Sequence, residues 1–341
     1  MHDRLSTGPV ICAEGYLFEF ERRGYLQAGA FVPEVVLEEP QLVAQLHREF
    51  VHAGSDVVEA FTYYAHREKL ALIGREEDLE ALNRQALQIA NEVAAEHGSL
   101  VAGNICNTNV FEPDDDDSQR IVRDMFVEQV SWAAEAGVDF VIAETFSYAQ
   151  EALVALEVIK EAGLDAVITL AIHRHPETRD GWSVGDACRR IEEAGADVVG
   201  LNCIRGPATM LPLLEQVRAA CDGHLAALPV PYRTTVAEPT FQSLTDPGCD
   251  LLPDGRPFPT ALDPFTCNRY EMGAFAKAAH DLGVTYLGVC CGAAPHHIRS
   301  VAEALGRTPP ASRLSADMSR HAFFGNDERL RARNQEFAGE L

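Results

Sequence analysis

A chain of 341 residues, 47% of them hydrophobic, with a formal net charge of −24, holds enough apolar material for one large core or two smaller ones. The acidity argues against a nucleic-acid partner, because affinity for a phosphate backbone rests on clustered Lys and Arg. No run approaches ~18 uninterrupted apolar residues, and no basic segment leads into a long apolar one near Met1, so neither a membrane span nor a signal peptide is expected, and a cytoplasmic location is.

In chain order, short apolar and often β-branched runs predict strands at 9–13, 56–61, 99–104, 139–144, 165–172, 197–202, 225–230 and 285–289. Amphipathic segments between them predict helices, among them 40–53, 76–97, 118–135, 149–162 and 269–282. Leu153, Leu156 and Ile159, spaced by three, form a stripe for one helix face. The pattern Ala-Gly-x-Asp recurs at 53–56, 136–139, 162–165 and 194–197, with each glycine where a left-handed helix cap is expected. The acidic run 114–117 precedes a helix, where carboxylates meet unpaired amides. The Pro-, Asp- and Thr-rich stretch 233–267 follows the seventh strand and reads as a loop covering the substrate.

Apolar strands separated by helices predict an α/β protein with a parallel sheet covered on both faces. A count of eight favours a closed (β/α)8 TIM barrel, a single domain over 1–317, followed by a short charged tail, 318–341. The rival is an open doubly wound sheet, whose dinucleotide-binding form lacks its Gly-x-Gly-x-x-Gly after the first strand.

Nine cysteines without a secretory signal favour reduced thiols or metal ligands over disulfides. Cys203 follows the sixth strand, and Cys290 and Cys291 end the eighth just before Gly292, so in a barrel all three thiols face the mouth. Zinc suits them: thiolates are soft ligands, and three protein ligands leave a fourth position open for chemistry. The competing readings are buried small residues or a redox-active pair. Cys12, Cys106, Cys188, Cys221, Cys249 and Cys267 have no ligand spacing and read as small apolar side chains. His173 and His175 are a weaker metal candidate near the end of strand five.

The segments Gly200-Leu201-Asn202-Cys203 and Gly288-Val289-Cys290-Cys291-Gly292 resemble the zinc motifs of the homocysteine S-methyltransferase family, most of all its betaine-type members. The resemblance extends through 18–29, 46–70, 139–152 and 295–305. It implies a (β/α)8 barrel in which Cys203, Cys290 and Cys291 hold Zn2+ and the homocysteine thiol takes the open position, to receive a methyl group from an onium donor and become methionine. It also implies that Glu144 binds the homocysteine amino group. Tyr64, with Tyr63 beside it in Phe61-Thr62-Tyr63-Tyr64, contacts the donor, where cation–π attraction suits a quaternary ammonium.

The chain departs from the family pattern near its first strand, where Cys12-Ala13-Glu14-Gly15-Tyr16 places Ala13 at the position of a homocysteine-binding aspartate. Glu14 is the expected substitute, with Tyr16 beside it. Phe31 stands for a donor-contacting tryptophan and Thr145 for a tyrosine near donor and metal, so the donor pocket is altered. Alternatives are a different thiol or a corrinoid acceptor, or a non-catalytic onium- or zinc-binding protein. Small-molecule substrates are the expected partners, and the short tail is compatible with a homo-oligomer such as a dimer.

Overall fold

The computed structural model describes residues 1–340. Eight strands run in parallel: β1 (Val10–Ala13), β2 (Val57–Glu59), β3 (Leu100–Cys106), β4 (Phe140–Phe146), β5 (Ala166–Leu170), β6 (Val198–Asn202), β7 (His224–Leu228) and β8 (Val284–Val289). Each pairs with the next in chain order, and β8 closes onto β1 with Val10 opposite Tyr286 and Ala13 opposite Val289. A helix follows each strand: α1 (Pro40–Ala53), α2 (Leu79–His97), α3 (Asp116–Ala136), α4 (Ala149–Glu161), α5 (Val184–Glu193), α6 (Pro207–Ala220), α7 (Arg269–Asp281) and α8 (Pro295–Ala304). The eight predicted strands are all present in a closed barrel, so the open-sheet rival is excluded. Among the described residues no helix is long and apolar enough to cross a membrane.

The Ala-Gly-x-Asp joints serve two purposes. Gly54, Gly137, Gly163 and Gly195 all have positive φ, as the cap reading predicted. The aspartates then reach sideways: Asp56 accepts from Ile11 N at 2.8 Å, Asp139 from Val101 N at 2.7 Å and Asp197 from Ala166 N at 2.7 Å. The aspartate entering β2, β4 or β6 thus clasps an amide in the first two residues of β1, β3 or β5, at the amino-terminal rim of the barrel. The acidic run 114–117 does cap a helix, with Asp115 accepting from Asp117 N and Ser118 N at the start of α3.

Several predicted elements are shorter than expected, the fifth strand among them, predicted over 165–172 and observed over Ala166–Leu170. The second strand stops at Glu59 because the chain turns there, with Thr62 N donating to Ala60 O. The helix predicted from 76 begins as a 3-10 turn, Glu76–Asp78, before α2.

Phe140 on β4 and Tyr286 on β8 meet edge to face, their centroids 6.4 Å apart. These strands lie on opposite sides of the closed barrel, so the contact crosses and fills its interior. Space for chemistry is left at the carboxyl ends of the strands.

Candidate active site at the barrel mouth

The sulfurs of Cys203, Cys290 and Cys291 lie within 4.8 Å of one another, with Cys203 following β6 and the pair following β8. Both turns lean on the end of β7: Cys203 N donates to Leu228 O at 2.8 Å and Cys290 N to Pro229 O at 3.0 Å. Cys203 and Ile204 take left-handed φ angles of 54° and 59°, which turn the chain sharply enough to aim the first thiol at the other two. Gly292 completes the second turn at φ 92°, where a Cβ would lie 2.3 Å from Tyr232 Oη. The residues fit a metal. Cys290 Sγ and Cys291 Sγ are 3.9 Å apart, and two thiolates on one tetrahedral zinc, with bonds of about 2.3 Å, stand about 3.8 Å apart. Hydrogen bonds from Cys290 and Cys291 hold the Cys203 thiol well below its ordinary range. Burial pushes Cys290 up, and the bond to Cys203 pushes Cys291 up. Without a metal the trio therefore holds one thiolate, Cys203, hydrogen-bonded by two neighbouring thiols that a cation would deprotonate.

Below the thiols lies a socket of three buried carboxyls. Glu14 follows β1, Glu59 ends β2 and Glu144 belongs to β4, with exposures of 7%, 1% and 2%. Asn104 Nδ2 donates to Glu59 Oε1 at 2.6 Å and to Glu144 Oε1 at 2.7 Å. Asn202 Nδ2 donates to Glu144 Oε2 at 2.6 Å and reaches Glu14 Oε2 at 3.3 Å. Glu14 Oε1 and Glu59 Oε2 are buried without a hydrogen-bond partner. Burial pushes Glu144 up to about 7 and lifts Glu14 and Glu59 well above the carboxylate range, their mutual repulsion adding to the effect. Between them is a void of about 10 Å³ bordered by Tyr16 and Cys290. A space of that size, ringed by unsatisfied carboxylate oxygens, suits a compact cationic head such as an ammonium.

Above the thiols opens a larger cavity of about 310 Å³, with Cys203 and Cys291 in its wall. Phe31 lines it, stacked on Phe18 at 5.6 Å, as do Tyr63 and Tyr64, whose rings are 4.3 Å apart. One face of Tyr64 already carries a cation, Lys69 Nζ, at 4.0 Å. Thr145 borders the cavity and donates to Glu144 Oε2 at 2.9 Å, linking cavity and socket. The stretch 233–267 contributes Phe241, Gln242 and Phe258, so part of the expected cover does lie over the mouth. Of the seven non-glycine residues with positive φ among the described residues, six line this cavity: Phe31, Tyr64, Asn109, Thr145, Cys203 and Ile204. Such conformations cost of order 1 kcal/mol or more each and collect where a site over-determines its backbone.

The residues singled out from sequence thus fall into two adjoining groups. Glu14, Tyr16, Glu144, Cys290 and Cys291 border the inner void. Phe31, Tyr63, Tyr64, Thr145 and Cys203 line the outer cavity. The Tyr16 ring also packs edge-on against His47 and Phe50, a core contact. Sequence reasoning missed Glu59, Asn104 and Asn202, although each is a polar residue in an otherwise apolar strand. Neither His173 nor His175 belongs to a metal-capable cluster among the described residues. The ring of His173 instead faces Ser147 Oγ at 2.8 Å, and His175 is exposed.

The family model described as homocysteine S-methyltransferase matches residues 15–305. The S-methylmethionine–homocysteine S-methyltransferase BHMT2 of Mus musculus is 35% identical over 320 residues, covering 91% of this chain and 83% of its own length. The betaine–homocysteine S-methyltransferase 1 of Danio rerio is 37% identical over 317 residues, covering 91% and 77%. Among solved structures, the metallated form of the homocysteine methyltransferase MmuM from Escherichia coli superimposes with a TM-score of 0.67 at 18% identity, over 86% of this chain and 95% of that one.

Proposed function

Because the chain belongs to the homocysteine S-methyltransferase family, we propose that it transfers a methyl group from a betaine-like onium compound to homocysteine, with zinc held by Cys203, Cys290 and Cys291. One observation carries this reading: three converging thiols separate a buried carboxylate socket from an aromatic cavity. When bound, zinc supplies a Lewis acid that keeps a coordinated thiol deprotonated near neutral pH.

Glu144 and Glu14 receive the amino group of homocysteine, with Glu59 as a third carboxylate, and its positive charge satisfies the oxygens that are otherwise unpartnered. Asn104 and Asn202 hold these carboxylates in fixed rotamers, so the amino acid enters a preorganised site. Phe31, Tyr63 and Tyr64 hold the onium head by cation–π attraction, on ring faces other than the one Lys69 occupies. The sulfur of homocysteine then attacks the methyl carbon in line. A carbon–sulfur bond forms as the bond to the onium centre breaks, and the electron pair leaves with the donor as a neutral amine or sulfide. The cover from 233–267 excludes water from the reacting atoms.

The test is direct. Protein loaded with zinc is incubated with homocysteine and glycine betaine, proline betaine, S-methylmethionine or a sulfonium acid, and methionine is measured by mass spectrometry. Methionine from at least one donor is expected, with about one zinc per chain and near-complete loss of both in Cys203→Ala. Absence of methionine with every donor, or full zinc content in Cys203→Ala, would overturn the reading.

A further inference from the structure

The outer cavity carries a cationic residue that the proposed reaction has not yet used. Arg179 lines it, as does His173, both from the loop between β5 and α5. Tyr63 and Tyr64 follow β2, three strands round the barrel, so these groups occupy different walls of one space. No carboxylate among the described residues lies within ion-pair distance of Arg179. That is notable in a chain of net charge −24.

The acidic groups nearby are committed elsewhere or solvated. Asp180, next in sequence, accepts from Ala149 N and Gln150 N at the start of α4. Glu151 accepts from the backbone and hydroxyl of Thr108 at 2.8 and 2.6 Å. Glu112 lines the cavity from an exposed position.

The base of Arg179 is built and braced. Thr178 N donates to Trp182 O at 2.9 Å and Gly181 N to Thr178 O at 2.9 Å, closing a tight turn with Gly181 at φ 80°. Arg179 N itself donates to Ser147 O at 2.8 Å, so the turn is pinned to the end of β4. The start of the loop is held from β6: Arg205 donates to the carbonyls of Ile172 at 2.9 Å and Arg174 at 3.1 Å, and also to that of His173. Arg179 is itself exposed, at the edge of the cavity, and a turn fixed on three sides that carries an exposed guanidinium without an ion-pair partner beside an aromatic cavity can receive an anion.

We propose that Arg179, with His173 beside it, binds a carboxylate on the methyl donor, so that the donor is a zwitterion gripped at its onium head by the aromatic wall and at its acid end by this loop. The proposal rests on the methyl-transfer reading and adds the residues that select the donor. His173 completes the subsite as a neutral hydrogen-bonding group, since burial and the neighbouring Arg179 push its ring below the ordinary histidine range.

The test pairs cations that differ only at the far end. Isothermal titration calorimetry on zinc-loaded protein compares glycine betaine with choline, and dimethylsulfoniopropionate with its amide. The carboxylated member of at least one pair is expected to bind at least about tenfold tighter, the scale of one charge-assisted hydrogen bond. Arg179→Met is expected to abolish that preference by weakening the carboxylated member about tenfold to a hundredfold while leaving the other within about twofold. Arg179→Lys should recover part of it. No preference in either pair, a preference untouched by Arg179→Met, or equal loss for both members of a pair would each overturn the subsite. Circular dichroism identical to wild type shows that the variants are folded. The two proposals fail separately: a persistent Arg179-dependent preference without methionine formation refutes the transferase reading alone, and methionine formation with an unaltered preference in Arg179→Met refutes the subsite alone.

Discussion

Asn202 is the residue through which the two halves of the site meet. Its side-chain amide donates to Glu144, to Thr145 Oγ1 at 2.9 Å and toward Cys290 Sγ at 3.8 Å, so carboxylate and thiols are oriented by one group. Glu144→Gln keeps the shape and most of these bonds but removes the charge that an ammonium needs. A charge-assisted hydrogen bond is worth about 1.5–3 kcal/mol, so the KM for homocysteine is expected to rise about tenfold to a hundredfold, with zinc content unchanged. Steady-state kinetics alongside metal analysis checks this, and loss of zinc would show that Glu144 supports the thiols instead. The thiols and Glu144 were legible in the sequence because adjacent cysteines at a strand end, or a carboxylate closing an apolar run, have no packing reason to be there. Glu59 was not, because a single carboxylate inside the predicted strand 56–61 reads as a side chain on a solvated face until the fold buries it at 1% exposure. Arg179 was invisible for another reason: a sequence does not show which of its charges lack partners.

Among the elements, the clearest division is between the two ends of the strands. The carboxyl ends carry the thiols, the carboxyls and the left-handed turns, whereas the amino ends carry the aspartate clasps that fix neighbouring strands in register. Asp139→Ala leaves Val101 N without its partner and is expected to cost about 1–3 kcal/mol. Urea denaturation measures the loss, and methyl transfer at 25 °C should remain at the wild-type level, because the opposite rim is untouched. A fall in turnover to match would show that the clasps shape the mouth as well. The strand and helix alternation was readable from sequence because every strand is buried on both sides and so is almost wholly apolar. The clasps were not, since a repeated Asp after a glycine cap has a sufficient local explanation as a loop residue. The length of β2 also escaped prediction, because Ala60 and Phe61 are apolar for packing at the mouth, and only one backbone–backbone bond to β3, Ala60 N to Ala102 O, is made beyond Glu59.

For the molecule as a whole, burial of acidic groups makes stability depend on pH. Glu151 is pushed up to about 7 by burial, from the ordinary value near 4.5. Between those values the folded chain keeps a proton that the unfolded chain has released. Stability contributed by this group is therefore present in acid and lost as the pH rises from about 4.5 to about 7, by roughly 3 kcal/mol. Glu151→Gln cannot ionise and should flatten that part of the profile, as read from thermal midpoints at closely spaced pH values; an unchanged slope would place the proton elsewhere. The charged tail behaves differently from the barrel. Residues 318–340 make their side-chain hydrogen bonds among 317–340, and Phe324 and Phe337 are exposed. Ending the chain at 317 is expected to leave the melting temperature within about 3 °C, because little buried surface is lost; a larger drop would assign the tail to the barrel's own core. The left-handed residues round the cavity bear on how such an enzyme changes over evolutionary time. Where the main chain is held in a conformation that most side chains resist, insertion or deletion of even one residue breaks the turn, whereas exchange of the side chain alone does not. A lineage acquiring a new methyl donor is therefore expected to repaint positions 31, 64 and 145 in place, and to vary its length only in the longer loops that follow β5 and β7.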